Sequence, residues 1–543
     1  MQKRKFWGWG YQDQVLSNKE DAAIESLIAA NFSLDEVPSL PIPLAEDIDL
    51  PKPGVKIPQA LEKVLSEDHL ERLNHTYGKS FPDLARAMLK LFPHPPDLVA
   101  FPNNQEDVVN VLDWADQNNI AVIPYGGGSS VCGGVETSVG DAYSGVISLD
   151  LRNLDKVLEI DKESRAARIQ AGIFGPALEN ELRKSDLTLR HFPQSFEHST
   201  LGGWIATRSG GHFATLYTHI DDFVESTTMV TPTGVIESRR LPGSGAGPSP
   251  DRMVIGSEGI LGVITEAWMR LQNRPIFRSS CSVEFDDYQK ALHATRLISQ
   301  SGLYPANCRL LDANEALFNR VGDGSKHILI LSFESADHEL DAWLDRALEI
   351  ASSAGGSYEK LQEKETEAHR TGASGTWRNS FIRAPFNRDA AVRRGIIWDT
   401  FETSITWDQS FEFIESIKDK ISKAINEISG RKTNVTCRLT HTYPDGCAPY
   451  FSYTAYATPS TMLDVWKQIK IATNEMVVAE GGTITHHHAV GRDHRVKGYD
   501  VQRPSGFKDM LTAAKASVDP RSIMNPGVLI DSGKGKIGHW MEN

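Results

Sequence analysis

Three consecutive histidines, His486, His487 and His488, stand in Thr483-Ile-Thr-His-His-His-Ala-Val-Gly491, after a glycine pair. Histidine changes charge near physiological pH, so neutral imidazoles in a row suit proton transfer. On a strand, alternate side chains leave opposite faces, so His486 and His488 are expected on one side and His487 on the other. No HExxH partner accompanies them, and no metal is expected. Arg309, in Cys308-Arg-Leu-Leu-Asp312, lies in an apolar, strand-like run where a guanidinium needs a partner. That partner is Asp312 or another acid in an ion pair, or else a ligand in a site. Arg388, in Phe386-Asn-Arg-Asp389, reads by position alone as a solvated helix arginine. Tyr450 lies on an aromatic strand, with core packing as the plain alternative and Tyr453 and Tyr456 as competitors. Arginine grips phosphate bidentately, and a phenol with imidazoles can take and return a proton.

Glycines carry a second kind of chemistry. The apolar run Ala121-Val-Ile123 leads into Pro124, Tyr125, Gly126, Gly127, Gly128, Ser129 and Ser130, and glycines continue to Gly134. Glycine lets the backbone approach a ligand, and successive free N–H groups form an anion-binding nest, here a diphosphate cradle. Alone, such a run is more readily a flexible surface loop. A second stretch carries Gln194, Ser195, Phe196, Glu197, His198, Ser199 and Thr200, then a short apolar helix, then Thr207, Arg208, Ser209 and Gly210. A third carries Glu258, Gly259, Ile260, Leu261, Gly262, Val263 and Ile264 into a strand. The glycines do not fall as GxGxxG opening a helix, so this is not the Rossmann fingerprint.

Regular elements must hold these loops. Asp21–Ala30 and Leu61–Tyr77 read as helices, with a proline-rich connector from Pro38 to Pro58. Leu98–Phe101 reads as a strand and Asn104–Asn118 as an amphipathic helix before the Ala121 strand. Strands follow at Val146–Leu151 and Ala166–Ala171, then a helix at Pro176–Lys184. Val224–Ile236 is a hairpin breaking at Thr231-Pro-Thr-Gly234. Beyond about residue 276 the cadence becomes strand, helix, strand, strand, helix. The aromatic stretch Phe6-Trp-Gly-Trp-Gly-Tyr11 reads as an arm packing its rings on the body.

The chain of 543 residues needs two or three cores. Its net charge of −14 argues against a nucleic-acid partner. The 5 cysteines are irregularly spaced, which sets aside a disulfide framework and fits a reducing compartment. No apolar run of about 18 residues and no signal-peptide pattern is present.

The three loops together resemble the cofactor domain of the vanillyl-alcohol oxidase, or p-cresol methylhydroxylase-type, flavoproteins. The resemblance implies an α+β fold: a two-subdomain FAD-binding domain over about 93–275, then an α+β cap with an antiparallel sheet over 276–480. Residues 1–92 would form an N-terminal helical and extended region, and 481–543 a segment returning to the FAD domain. FAD would lie with its pyrophosphate at Pro124–Ser130. Flavin and ribityl would lie along Gln194–Thr200 and Thr207–Gly210, and Glu258–Ile264 near the adenine end and the flavin. Relatives that tether the flavin use a histidine in the first loop. This loop has none, so FAD is expected to be non-covalent, with His191 and His198 as the remaining tether candidates.

Trp7-Gly-Trp-Gly-Tyr11, Cys308–Asp312, Thr400-Phe-Glu-Thr-Ser404, Cys437-Arg-Leu-Thr-His-Thr-Tyr443 and His486–Gly491 narrow the resemblance to the alkyldihydroxyacetonephosphate synthase family. That family exchanges the acyl group of acyl-dihydroxyacetone phosphate for a long-chain fatty alcohol, giving an ether-lipid precursor. FAD cycles there without net redox, its N5 trapping the dihydroxyacetone carbon as an adduct. The resemblance implies Tyr450 in proton transfer, Arg388 on the substrate phosphate, and Arg309 and the histidine triple as needed for activity. It also implies a homodimer and a cytoplasmic location, peripheral on the inner face of a membrane. Gln194 departs from the acid usual in the family, and no peroxisomal address is recognisable at the C-terminus. The alternative reading is an FAD-dependent oxidase or dehydrogenase of a 2-hydroxy acid or phenolic alcohol. A non-catalytic flavin-binding module would not need the arginine, tyrosine and histidine set.

Overall fold

The computed structural model describes residues 3–213, 215–359 and 385–539. Three sheets carry the architecture. In the first, Leu98–Ala100, Gly145–Asp150 and Ile120–Tyr125 run parallel, and Leu65–Ser66 pairs antiparallel at the edge. These strands are nearly all apolar because both faces are covered, as parallel sheets require. The helix Gln105–Gln117 makes one crossover and starts where the Asn104 side chain accepts from the Asp107 N–H at 2.9 Å.

The second sheet is antiparallel, in the spatial order Val157–Asp161, Ala166–Gln170, Val263–Arg270, Val224–Thr231, Gly234–Glu237. Its last two strands are the hairpin that Thr231-Pro-Thr-Gly234 announces, with Gly234 at φ 140°. The third sheet is also antiparallel. It orders Phe277–Phe285, His327–Ser335, Asn307–Leu311, Thr436–Thr442, Gly446–Tyr456 and Ile396–Glu402, with Ile405–Thr406 also on Gly446–Tyr456. The helices Tyr288–Gln300 and Asp341–Ser353 supply the α part of the cap cadence.

One apolar core fills the first two sheets and takes in Leu511, Met524 and Val528 from the C-terminal segment. The other lies under the cap sheet and takes in Phe6, Trp7 and Trp9, so the aromatic arm is packed as its composition suggests. Leu61–Tyr77 is not one helix. Leu65–Ser66 is drawn into the first sheet by Val99 and Ala100, and a helix restarts at His69–Asn74, where Asp68 accepts from the Glu71 N–H at 2.9 Å.

The helix Phe81–Met88 joins the N-terminal region to the cap core. Ser80 and Asp83 form a capping box and Pro82 sits in the first turn. Phe81 is fully buried and stacks on Trp466 at 6.2 Å between ring centroids. Phe81→Ala should cost about 3–5 kcal/mol through the lost burial and the cavity it leaves. Urea denaturation of the purified protein checks this; an unchanged midpoint would contradict the packing.

Candidate active site

A cavity lies where the three glycine and hydroxyl loops meet the cap sheet and the C-terminal segment. The glycines are there because the loops pack backbone on backbone. A Cβ on Gly127 would fall 1.9 Å from the His198 carbonyl oxygen. Gly259 has φ +76°, and a Cβ there would meet the Pro124 ring at 2.9 Å. Asn525 ties two loops, its amide donating to the Gly134 carbonyl at 3.0 Å and the Glu258 carbonyl at 2.7 Å.

All residues from Pro124 to Ser130 line the cavity, as do Gln194, Ser195, Ser199 and Thr200 of the second loop. Thr207, Ser209 and Gly210, and then Glu258, Gly259, Gly262, Val263 and Ile264, continue the wall. The other expected cofactor residues sit behind it. Phe196 stacks on Trp204 at 6.2 Å, and Glu197 is exposed. Arg208 pairs with Asp221 at 2.8 Å, and Ile260 and Leu261 belong to the core. His198 is ringed by Trp9, Tyr11 and Phe386; burial, then the charge of Arg4, lowers its pKa to about 4. His191 is buried against Trp204 with Nε2 at 2.8 Å from Ser209 Oγ. Neither histidine is on the cavity wall.

Arg309, on the strand Asn307–Leu311, is buried and lines the cavity. Burial, helped by neighbouring Arg438, lowers its pKa to about 9. Asp312 is not its ion-pair partner: that carboxylate takes Lys418 at 2.9 Å and the Cys437 N–H at 3.0 Å. Arg388 is no solvated arginine either. It sits in the helical stretch 385–392, lines the cavity and pairs with Asp399 at 2.8 Å, with 14% of its side chain exposed. The buried Tyr450 donates to Thr400 Oγ1 at 3.1 Å, and its ring lies 3.8 Å under the Arg438 guanidinium. Burial raises its phenol pKa, which keeps the proton on. Arg438, which lies within the Cys437–Tyr443 stretch and has no role assigned from sequence, is ion-paired with Glu315. Its signal was there, a lone arginine in the apolar strand Cys437-Arg-Leu439, the same pattern as Arg309.

The histidine triple is not a strand, so the expected alternation fails. Its backbone folds around the buried Glu402 carboxylate, which accepts the N–H groups of His486 at 2.6 Å, His487 at 3.2 Å and His488 at 3.0 Å, and the Thr485 hydroxyl. His487 and His488 line the cavity, with ring centroids 6.0 and 5.4 Å from that of Tyr450. His486 turns away to the Tyr443 hydroxyl at 2.7 Å. Burial opposes charge on Glu402, but His488 and His486 in their protonated forms and the donated hydrogen bonds lower its pKa to about 2; at neutral pH, with those rings uncharged, the donated hydrogen bonds hold the carboxylate. Burial drives all three imidazoles below the usual histidine value, so they are neutral. Ring nitrogens of His441, His486 and His487 lie within 4.8 Å of one another, a donor set that no sequence spacing announced.

Residues 96–238 match the family of FAD binding domains, and residues 274–529 match the C-terminal domain of FAD linked oxidases. The fold is similar to that of p-cresol methylhydroxylase with substrate bound, at a TM-score of 0.64 and 14% identity over 96% of this chain and 99% of that one. The chain is therefore an FAD-dependent enzyme with a p-cresol methylhydroxylase-type fold, and the glycine-lined wall fits that cofactor. Alkyldihydroxyacetonephosphate synthase of Dictyostelium discoideum is 31% identical over 523 residues, 92% of this chain and 84% of that protein. A solved structure of alkyldihydroxyacetonephosphate synthase matches with a TM-score of 0.78 and 26% identity, over 96% of this chain and 98% of that one. The chain belongs to the alkyldihydroxyacetonephosphate synthase family.

Two outcomes follow from this geometry. Gly127→Ala must push the first loop off the second, and FAD affinity should fall about tenfold or more, about 1.4 kcal/mol; flavin titration followed by fluorescence reads it. Glu258 accepts from the Val490 N–H at 2.9 Å and the Gly491 N–H at 2.7 Å, yet burial pushes its pKa up to about 7. An unfolded glutamate titrates near about 4.3, so between these values the folded state holds more protons. This residue's contribution to stability is full below about pH 4.3 and is lost as pH rises through about 7. The melting temperature of the wild type relative to Glu258→Gln should fall across that window; parallel profiles would contradict the shift.

Proposed function

We propose that this enzyme exchanges the acyl group of an acyl-dihydroxyacetone phosphate for a long-chain fatty alcohol, an ether-lipid-forming reaction without net redox. The observation that carries the proposal is the convergence of Arg309, Arg388, Tyr450, His487 and His488 on the cavity that the glycine loops line. Membership of the synthase family supports it. Arg388, oriented by Asp399, presents a guanidinium for the phosphate, and Arg309 adds a second cation to the same wall. The neutral imidazoles of His487 and His488 accept the C1 proton, and Tyr450 holds a proton for the departing carboxylate. When bound, FAD supplies the electrophilic centre at which the exchange takes place.

Non-covalent FAD is supported by the first loop, which has no histidine, and by the placing of His191 and His198 behind the cavity wall. An apolar chain finds an apolar entrance: Phe318 and Trp398 both line the cavity and meet edge to face at 5.3 Å, and Phe318 is 44% exposed, next to Leu317 at 53%. Among the described residues no helix is long and apolar enough to cross a membrane; peripheral attachment to the surface that carries the lipid substrates is part of this proposal.

The purified yellow protein, given acyl-dihydroxyacetone phosphate and labelled hexadecanol, should form labelled ether without flavin bleaching or oxygen uptake. Bleaching by a 2-hydroxy acid or a phenol, with no ether formed, would establish the oxidase or dehydrogenase reading instead. Tyr450→Phe should keep its flavin spectrum and lose about 100-fold or more in turnover, the scale of a lost proton-transfer group.

A further inference from the structure

His219 lies outside the set that faces the cavity. It is half-buried in the FAD-binding half of the chain, in the turn ahead of Ile220–Asp222. Its Nε2 is 3.1 Å from His486 Nε2, and His486 Nδ1 is 3.0 Å from His487 Nδ1. His487 lines the cavity. Three imidazoles thus run in hydrogen-bonding contact from the cavity wall to a partly exposed ring. We propose that His487, His486 and His219 form a proton wire between the reaction cavity and solvent.

The hydrogen bonds give the wire a direction. His219 Nδ1 lies 3.1 Å from the Arg208 carbonyl oxygen. A carbonyl only accepts, so Nδ1 carries the proton and Nε2 of His219 offers a lone pair. His486 must then carry its proton on Nε2, shared between His219 and the Tyr443 hydroxyl at 2.7 Å. Tyr443 passes its own proton toward Thr218 Oγ1 at 3.2 Å. His486 Nδ1 is left as an acceptor, so His487 donates from Nδ1 and keeps its Nε2 lone pair on a ring that lines the cavity. One backbone carbonyl sets the tautomers of three rings. His441, which also touches His486, does not divert the path, because its Nε2 donates to the Gly211 carbonyl at 2.9 Å.

The proposal rests on the acyl-for-alkoxy exchange, in which a C1 proton leaves the substrate and returns. As that C–H bond breaks, its electron pair stays on carbon and the proton goes to His487 Nε2. The Nδ1 proton of His487 moves to His486 Nδ1, and the Nε2 proton of His486 moves to His219 Nε2. The positive charge ends on His219, where water exchanges it. A proton returning along the same path restores every tautomer, and none is consumed overall. Burial is the reason to export the charge: it disfavours the protonated forms of His486 and His487, as do the neighbouring imidazoles. Among the described residues Glu402 and Asp399 act on the triple; Glu402 lies 3.5 Å from His487 Nδ1 and 3.8 Å from His488 Nδ1, beyond hydrogen-bonding reach, and its oxygens accept the backbone N–H groups and the Thr485 hydroxyl.

Two measurements test this. Nitrogen-15 NMR of the histidine-labelled holoenzyme should show the proton on Nδ1 of His219, Nε2 of His486 and Nδ1 of His487. Any other pattern overturns the wire, whatever the reaction. His219→Ala and His219→Gln should slow ether formation about tenfold or more with the flavin spectrum unchanged, because the charge left on His487 is no longer exported. Imidazole added to the buffer should restore the rate in His219→Ala. An unchanged rate in both variants, or no response to imidazole, overturns the proposal, as does a divalent metal found bound to these rings by elemental analysis. A wild type with the stated tautomers that makes no ether overturns the synthase reading and leaves the wire standing.

Discussion

The site depends on a short segment of backbone wrapped around two buried carboxylates. Glu402, at the end of a cap strand, collects the N–H groups of His486, His487 and His488. Four residues on, Glu258 from the third loop collects those of Val490 and Gly491. Consecutive N–H groups aimed at one point form an anion nest, and here the anion is internal. A buried carboxylate without donors would be costly; each of these is satisfied by backbone that would otherwise be unpaired. The cap and the cofactor-binding half are thereby pinned to the same few residues. The first loop joins them through the Cys132 carbonyl, which accepts from the Arg492 N–H at 2.9 Å and the Asp493 N–H at 3.1 Å.

This anchoring lets the histidines be neutral and close together. Five imidazoles form one cluster, counting His219 and His441, with neighbouring ring centroids as near as 4.6 Å. Charged, they would repel; burial drives His441, His486, His487 and His488 below the usual histidine value and leaves these four neutral. The positive charge of the cavity comes from arginines instead. Asp399 orients Arg388 and is itself fixed by the Trp466 indole N–H at 2.6 Å, while Glu315 holds Arg438. Guanidinium groups and neutral imidazoles thus line the same cavity without competing for one proton.

The cofactor side of the site was legible because its signal is local. Glycine and serine at a strand end mean close backbone approach wherever they occur, and Gly127 against the His198 carbonyl shows why no other residue fits. The strand and helix pattern was legible for the same reason, through apolar spacing and caps such as Asn104. Glu402 and Asn525 were not legible. Glu402 is 84 residues from the His486 N–H it binds, and Asn525 is 391 from Gly134. Glu402 falls within Thr400-Phe-Glu-Thr-Ser404, a stretch that carries the resemblance, but nothing in either neighbourhood announces the distant backbone each residue binds. The triple was misread as a strand because the force that bends it lies in another part of the chain.

The N-terminal arm extends the same logic. Its alternating tryptophans and glycines read simply as rings seeking a core. Trp9 does bury its ring, but it also lines the cavity, and its backbone N–H donates to the buried Asp389 carboxylate at 2.9 Å. Gly8 is required at that contact, since a Cβ would fall 2.4 Å from an Asp389 oxygen. Arg4 then reaches back to the Gly127 carbonyl at 3.0 Å, with its guanidinium 4.8 Å over the Phe174 ring. The arm thus touches the first glycine loop from outside while His488 and Asn525, near the other end of the chain, line its cavity. A site assembled from both ends of the chain and both cores forms only once the whole chain has folded, so its chemistry is coupled to the stability of either core.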